Sequence, residues 1–214
     1  MCWNKEVSLN TFLFSSFVFL LILYNNKYTF YKIPEFNRFW MCALMGIVIL
    51  MQLIEYFIWI NIDNIFYNKL FTSLAMLIIF FQPITTIMNI NDSKIKQMLL
   101  ISYLGLMIPF GLINYNKNIY STISSNKHLN WNLINHENKF TKIISLSWIF
   151  FFLFPLFYEE QRLGLSFGIL TLLIMIYNYM HDDTIESMWC WIVNSIMIYY
   201  AGYLLFYLPY VSKK

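Results

Sequence analysis

Charge is scarce in this chain. Only 12% of its 214 residues are Asp, Glu, Lys or Arg, where a soluble domain carries about 25%. A surface built for water is therefore excluded. The 14 Lys and Arg are scattered and the net charge is +3, so the basic stripe that nucleic-acid binding requires is missing. Three cysteines are too few for a disulfide scaffold. The three histidines, His128, His136 and His181, contain no tight His-x-x-x-His pair. The long apolar stretches do not alternate with polar residues, which argues against an outer-membrane barrel.

Hydrophobic sequence is there instead: 59% of residues, with a mean hydropathy of +0.57. It is gathered into seven runs, Val7–Tyr24, Phe39–Ile60, Leu70–Ile90, Gln97–Ile113, Ile143–Tyr158, Leu163–Met180 and Met188–Leu208. A hydrocarbon core roughly 30 Å thick takes about 20 helical residues. Lipid offers backbone groups no water partners, so these runs must be helices. The sequence predicts an all-α polytopic transmembrane helix bundle, one unit over residues 1–214 with a long extramembrane loop at 114–142. Its first partner is the lipid bilayer; a homo-oligomer is a further possibility. The first run follows Lys5 as in a signal peptide but ends in Leu23-Tyr24-Asn25-Asn26, with no small-x-small cleavage pattern. A retained first helix is expected.

Lys and Arg between helices set the orientation. Lys27, Lys32, Arg38, Lys94, Lys96, Arg162, Lys213 and Lys214 fall on the side of the odd-numbered loops and the C-terminus. Lys5, Lys69, Lys117, Lys127, Lys139 and Lys142 fall on the other, four of them in one long loop. The expectation is an outer or lumenal N-terminus and a cytoplasmic C-terminus. The glycosylation triplet Asn91-Asp92-Ser93 then stays bare on the cytoplasmic side.

The sharpest polar feature is in the second run, Met51-Gln52-Leu-Ile-Glu55-Tyr-Phe-Ile-Trp59. Gln52, Glu55 and Trp59 are spaced i, i+3 and i+7 and share one helix face. Glu55 is the acidic residue set well inside a span, about five residues or roughly 7–8 Å from the outer end. A carboxylate there costs several kcal/mol. One reading is a carboxylate that binds a proton or ligand; the plainer one is polar glue between helices. Gln82-Pro83 makes a second polar break, since Pro83 frees a carbonyl one turn upstream that Gln82 or a ligand can meet. Asn194, one turn from Cys190, adds a polar group in the last run. No internal repeat of the transporter kind is visible.

Pro83, Pro109 and Pro155 lie inside spans, and Gly105 and Gly111 flank Pro109, so the fourth helix is the expected site of a bend or break. Gly164 and Gly168 form a small-xxx-small pattern for close helix packing. In the last loop, His181, Asp182 and Asp183, with His128 across the same side, offer oxygen and nitrogen ligands to a metal. Zinc sites demand defined ligand spacing, and a solvated turn is the plainer reading, so no cofactor is predicted. Retinal is excluded because the last helix has no lysine. Cys2 and Cys190 both fall near the outer face, where a disulfide or two separate thiols are equally open.

The start Met1-Cys2-Trp3, the pattern Met51-Gln52-x-x-Glu55-x-x-x-Trp59, Gln82-Pro83, His128-x-x-Trp131 and Trp189-Cys190-Trp191 together resemble a family of uncharacterised multi-pass membrane proteins of large DNA viruses and unicellular eukaryotes. The resemblance implies one shared design for Glu55, Gln82, His128 and Trp189–Trp191 and implies no catalytic role. Three functions stay open from the sequence. One is ligand or proton binding or transport through an outer-half polar pocket of Gln52, Glu55, Trp59, Gln82 and Asn194. A structural or assembly protein of a viral or organelle membrane and a metal-dependent lipid hydrolase are the others.

Overall fold

The structure, a computed structural model, describes residues 4–114, 119–132, 139–179 and 184–211. It is an all-α bundle with seven helical spans long and apolar enough to cross a membrane. The chain is thus built as an integral membrane protein. The helices are α1 (Lys5–Tyr28), α2 (Phe39–Ile60), α3 (Ile65–Met88), α4 (Ser93–Asn114), α5 (Lys139–Tyr158) and α6 (Arg162–Tyr179), then a last span in pieces. Those pieces are α7 (Ile185–Val193), α8 (Ile196–Gly202), a π-helical turn over Tyr203–Tyr207 and α9 (Leu208–Val211). The second span matches its apolar run residue for residue; α1, α4 and α5 begin a few residues before their runs, and α3 begins at Ile65 and ends at Met88, short of the run's end at Ile90. Asn4 caps α1 by accepting from the Val7 N–H at 2.8 Å, Asn64 caps α3 at Tyr67 N–H, and Asp92 caps α4 at the Lys94 and Ile95 N–H groups.

The second helix is central: its apolar window is 56% buried, against 17% for α4 and α6. It packs on α1, α3 and α7. The outer helices present large side chains outward, among them Phe17, Ile101, Leu146, Leu173 and Phe206, a surface fit for lipid rather than water.

The prolines do not break their helices. Pro83 has no N–H, so the Ile79 carbonyl loses its intrahelical donor. The Trp148 indole N–H of α5 donates to that carbonyl at 3.0 Å. Pro155 likewise frees the Phe151 carbonyl, and Thr86 of α3 donates its hydroxyl there at 3.3 Å. Two prolines thus become two reciprocal bonds across the α3–α5 interface, a task the sequence reading gave to Gln82. The fourth helix runs unbroken through Gly105, Pro109 and Gly111, contrary to expectation. The break falls instead in the last span, at Asn194 and Ser195.

The 114–142 loop is more than a tether. Its described part is a hairpin, β1 (Thr122–Ile123) with β2 (Leu129–Asn130), antiparallel with Thr122 opposite Asn130. Leu129 and Trp131 are buried against Ile54, Ile58 and Ala75. Gly164 and Gly168 face α5, where a Cβ on Gly168 would come within 3.0 Å of Leu153.

Candidate functional site

Gln52 and Glu55 are both fully buried in the middle of the bundle. The Gln52 amide Nε2 donates to Glu55 Oε2 at 2.7 Å. Its partner is thus on its own helix, one turn on, and its Oε1 has no hydrogen-bond partner among the described residues. Trp59, a turn beyond Glu55, keeps its indole N–H unpartnered too, as does Trp131 from the hairpin; both lie in the same apolar cluster with Cys190.

Asn194 borders the layer from the last span. Its Nδ2 donates to the Cys190 carbonyl at 2.9 Å and to the Val48 carbonyl of α2 at 3.3 Å, and its Oδ1 has no partner among the described residues. Helix α1 contributes Ser8 and Ser15, both fully buried, their hydroxyls without a partner among the described residues. Val18 and Ile22 share a core cluster with Met45 and Ile49, so this face of α1 packs on α2. Thr11 on the same face accepts from the Trp191 indole at 3.0 Å.

One end of the bundle is sealed above this layer. The Asn68 side chain pairs with the Ser121 backbone in both directions, Nδ2 to the carbonyl at 3.0 Å and Oδ1 from the N–H at 2.8 Å. Thr72 and Ser121 share a hydroxyl bond at 2.8 Å. Ser187 donates to the Leu129 carbonyl at 2.6 Å, and Asn126 to Thr184 at 3.1 Å. The hairpin is thereby fastened to α3 and α7. Helix spacing alone cannot reveal this plug, because Asn68, Ser121 and Ser187 are far apart in sequence.

The opposite end, that of the odd-numbered loops, is open. A cavity of about 530 Å³ lies between α2, the α5–α6 turn and the last span. Charged groups line its mouth, and Met41, Leu44, Met45 and Phe152 line its apolar wall. It reaches Val48 and Val193, beside the Asn194–Val48 bond. A small void bounded by Val48, Gln82, Phe152, Trp189, Cys190 and Val193 adjoins that floor. Gln52 and Glu55 lie one and two turns past Val48, roughly 6 and 10 Å along the helix axis. The same odd-loop end is cross-braced by Glu159, which takes Arg38 at 3.1 Å and the Asn91 N–H at 2.8 Å.

Not every sequence candidate meets this site. His128 sits in the hairpin, edge-on to Tyr179 with ring centroids 5.5 Å apart. His181, Asp182 and Asp183, and Cys2, lie outside the described residues. Among the described residues no group of three or more His, Cys, Asp or Glu is gathered as a metal site. Cys190 is buried beneath the hairpin rather than at the surface. Comparison with protein-family models, with curated proteins and with solved structures gives no match, so the functional reading rests on the geometry of this chain.

Proposed function

We propose that this membrane protein is a carrier that binds a proton or small ligand at the Gln52–Glu55 pair, reached from the odd-loop cavity and closed off at the other end by the hairpin. The observation that carries the reading is the fully buried carboxyl of Glu55 beside a Gln52 amide oxygen with no hydrogen-bond partner among the described residues. If Gln52 served as glue between helices it would spend its amide across an interface; it spends it on Glu55. The open cavity below and the fastened hairpin above supply one-sided access, which alternating access requires. The split last span places Asn194 where the two regions meet. The Lys and Arg distribution supports a cytoplasmic C-terminus, hence a cavity facing the cytoplasm. The motif resemblance supports membership in the multi-pass family of large DNA viruses and unicellular eukaryotes.

Proton flux into liposomes with a trapped pH-sensitive dye tests the reading. Wild-type protein under an imposed potential should acidify the lumen, and Glu55→Gln should reduce the flux to that of empty liposomes while keeping the melting temperature. Flux unchanged in Glu55→Gln, or a variant that loses several degrees of stability, would put the scaffold reading in its place.

A further inference from the structure

We infer that the odd-loop cavity is a binding site for a single-chain amphiphile with a cationic, hydrogen-bond-donating head, such as a primary alkylammonium. Its volume of about 530 Å³ falls within the roughly 300–1,000 Å³ of small-molecule sites. Past the mouth, its wall is mostly apolar, with Met41, Leu44, Met45, Phe152, Leu156 and Phe167 beside the single hydroxyl of Tyr200, a lining that takes an alkyl tail. The tail class follows from that lining.

The head class follows from the mouth. Three carboxylates, Glu35, Glu159 and Glu160, stand there against two guanidinium groups, Arg38 and Arg162. Glu159 is satisfied by Arg38 and Asn91, and Glu160 lies 3.9 Å from Arg162. Glu35 has no ion pair among the described residues, so it is the uncompensated charge. A carboxylate without a cation is answered by an ammonium head, whereas a carboxylate or phosphate head would meet like charge at Glu35.

This inference names a ligand for the cavity through which the carrier reading routes its traffic, and it rests on that reading only for the ligand's onward path. The test is equilibrium binding of labelled octylammonium to protein in lipid nanodiscs, with empty nanodiscs subtracted and octanoate as the competing head. Saturable octylammonium binding is expected, with octanoate at least about tenfold weaker. Glu35→Lys, at an exposed position, should weaken octylammonium about fivefold or more. Gly164→Leu should abolish binding: a Cβ on Gly164 meets only Leu156, at 4.0 Å, so the rest of the side chain goes into the cavity. No saturable binding, equal binding of octanoate, or binding unchanged in both variants would overturn the inference. The two readings fail separately. Octylammonium binding kept in wild type while Glu55→Gln leaves proton flux intact would sink the carrier alone. Flux abolished by Glu55→Gln with no octylammonium bound would sink the amphiphile alone.

Discussion

Replacing Asn68 with alanine should open the hairpin end of the protein without unfolding the bundle. The Asn68 side chain, 2% exposed, donates to the Ile62 and Ser121 carbonyls, each at 3.0 Å. It accepts from the Ser121 N–H at 2.8 Å and from the Thr72 hydroxyl at 3.1 Å. Thr72 keeps its bond to the Ser121 hydroxyl, so three bonds are lost outright. Two of the three tie the hairpin at Ser121, the third going to Ile62 in the α2–α3 turn, so at about 1 kcal/mol net for each neutral bond, docking of the hairpin weakens by about 2 kcal/mol. Each 1.4 kcal/mol is tenfold, so the undocked population rises roughly thirtyfold. Cys190 reports on it, being buried beneath Leu129 and Trp131. In a background with Cys2→Ser and Cys42→Ser, a membrane-impermeant maleimide added on the hairpin side should label Cys190 about thirtyfold faster in Asn68→Ala, since local opening sets the rate. Labelling within about twofold of wild type, at unchanged melting temperature, would refute the view that Asn68 fastens a plug.

Two further outcomes follow from the interfaces. Trp148→Phe should cost about 1–2 kcal/mol by leaving the Ile79 carbonyl unmet; in a Pro83→Ala background, whose new N–H can serve that carbonyl, the cost should shrink, and additive melting shifts would contradict the proposed link. At the odd-loop end, Arg38 is 44% exposed and Glu159 only 7%; Arg38→Ala should therefore cost under about 1 kcal/mol and Glu159→Ala about 2, because only the latter also loses the bonds from the Asn91 N–H and Nδ2. Equal losses in denaturation of nanodisc-held protein would mean that the ion pair alone is what Glu159 contributes.

Length and hydropathy made the seven spans legible, because each helix satisfies its own backbone and lipid enforces this one span at a time. The face of Gln52, Glu55 and Trp59 was legible for the same reason, since their spacing is a property of one helix. What the pattern did not carry was any pairing between distant positions. Asn68 with Ser121, Trp191 with Thr11, and the two proline-freed carbonyls with Trp148 and Thr86 all depend on how the helices are arranged. The buried serines of α1 were missed because Ser8 and Ser15 read as ordinary polar punctuation in an apolar run; their seven-residue spacing, the same as that of Gln52 and Trp59, was the signal available.

The location of the break shows the same physics. Proline removes one donor from a helix, and a helix at the rim of the bundle, as α4 is, tolerates that loss without losing its path. Asn194 acts differently, because its side chain competes with the backbone. Its Nδ2 takes the Cys190 carbonyl, four residues back, which the Asn194 N–H would otherwise use. The N–H turns to Trp191 at 3.0 Å, and Ser195 follows with Ile192 at 2.9 Å, tightening the turn to three-residue spacing. The same amide also reaches the Val48 carbonyl. One asparagine thus interrupts the last span and ties that interruption to the cavity floor, one turn short of Gln52. A composition-based search for helix breakers favours proline and glycine and passes over this residue, whose effect comes from a side chain that mimics the main chain.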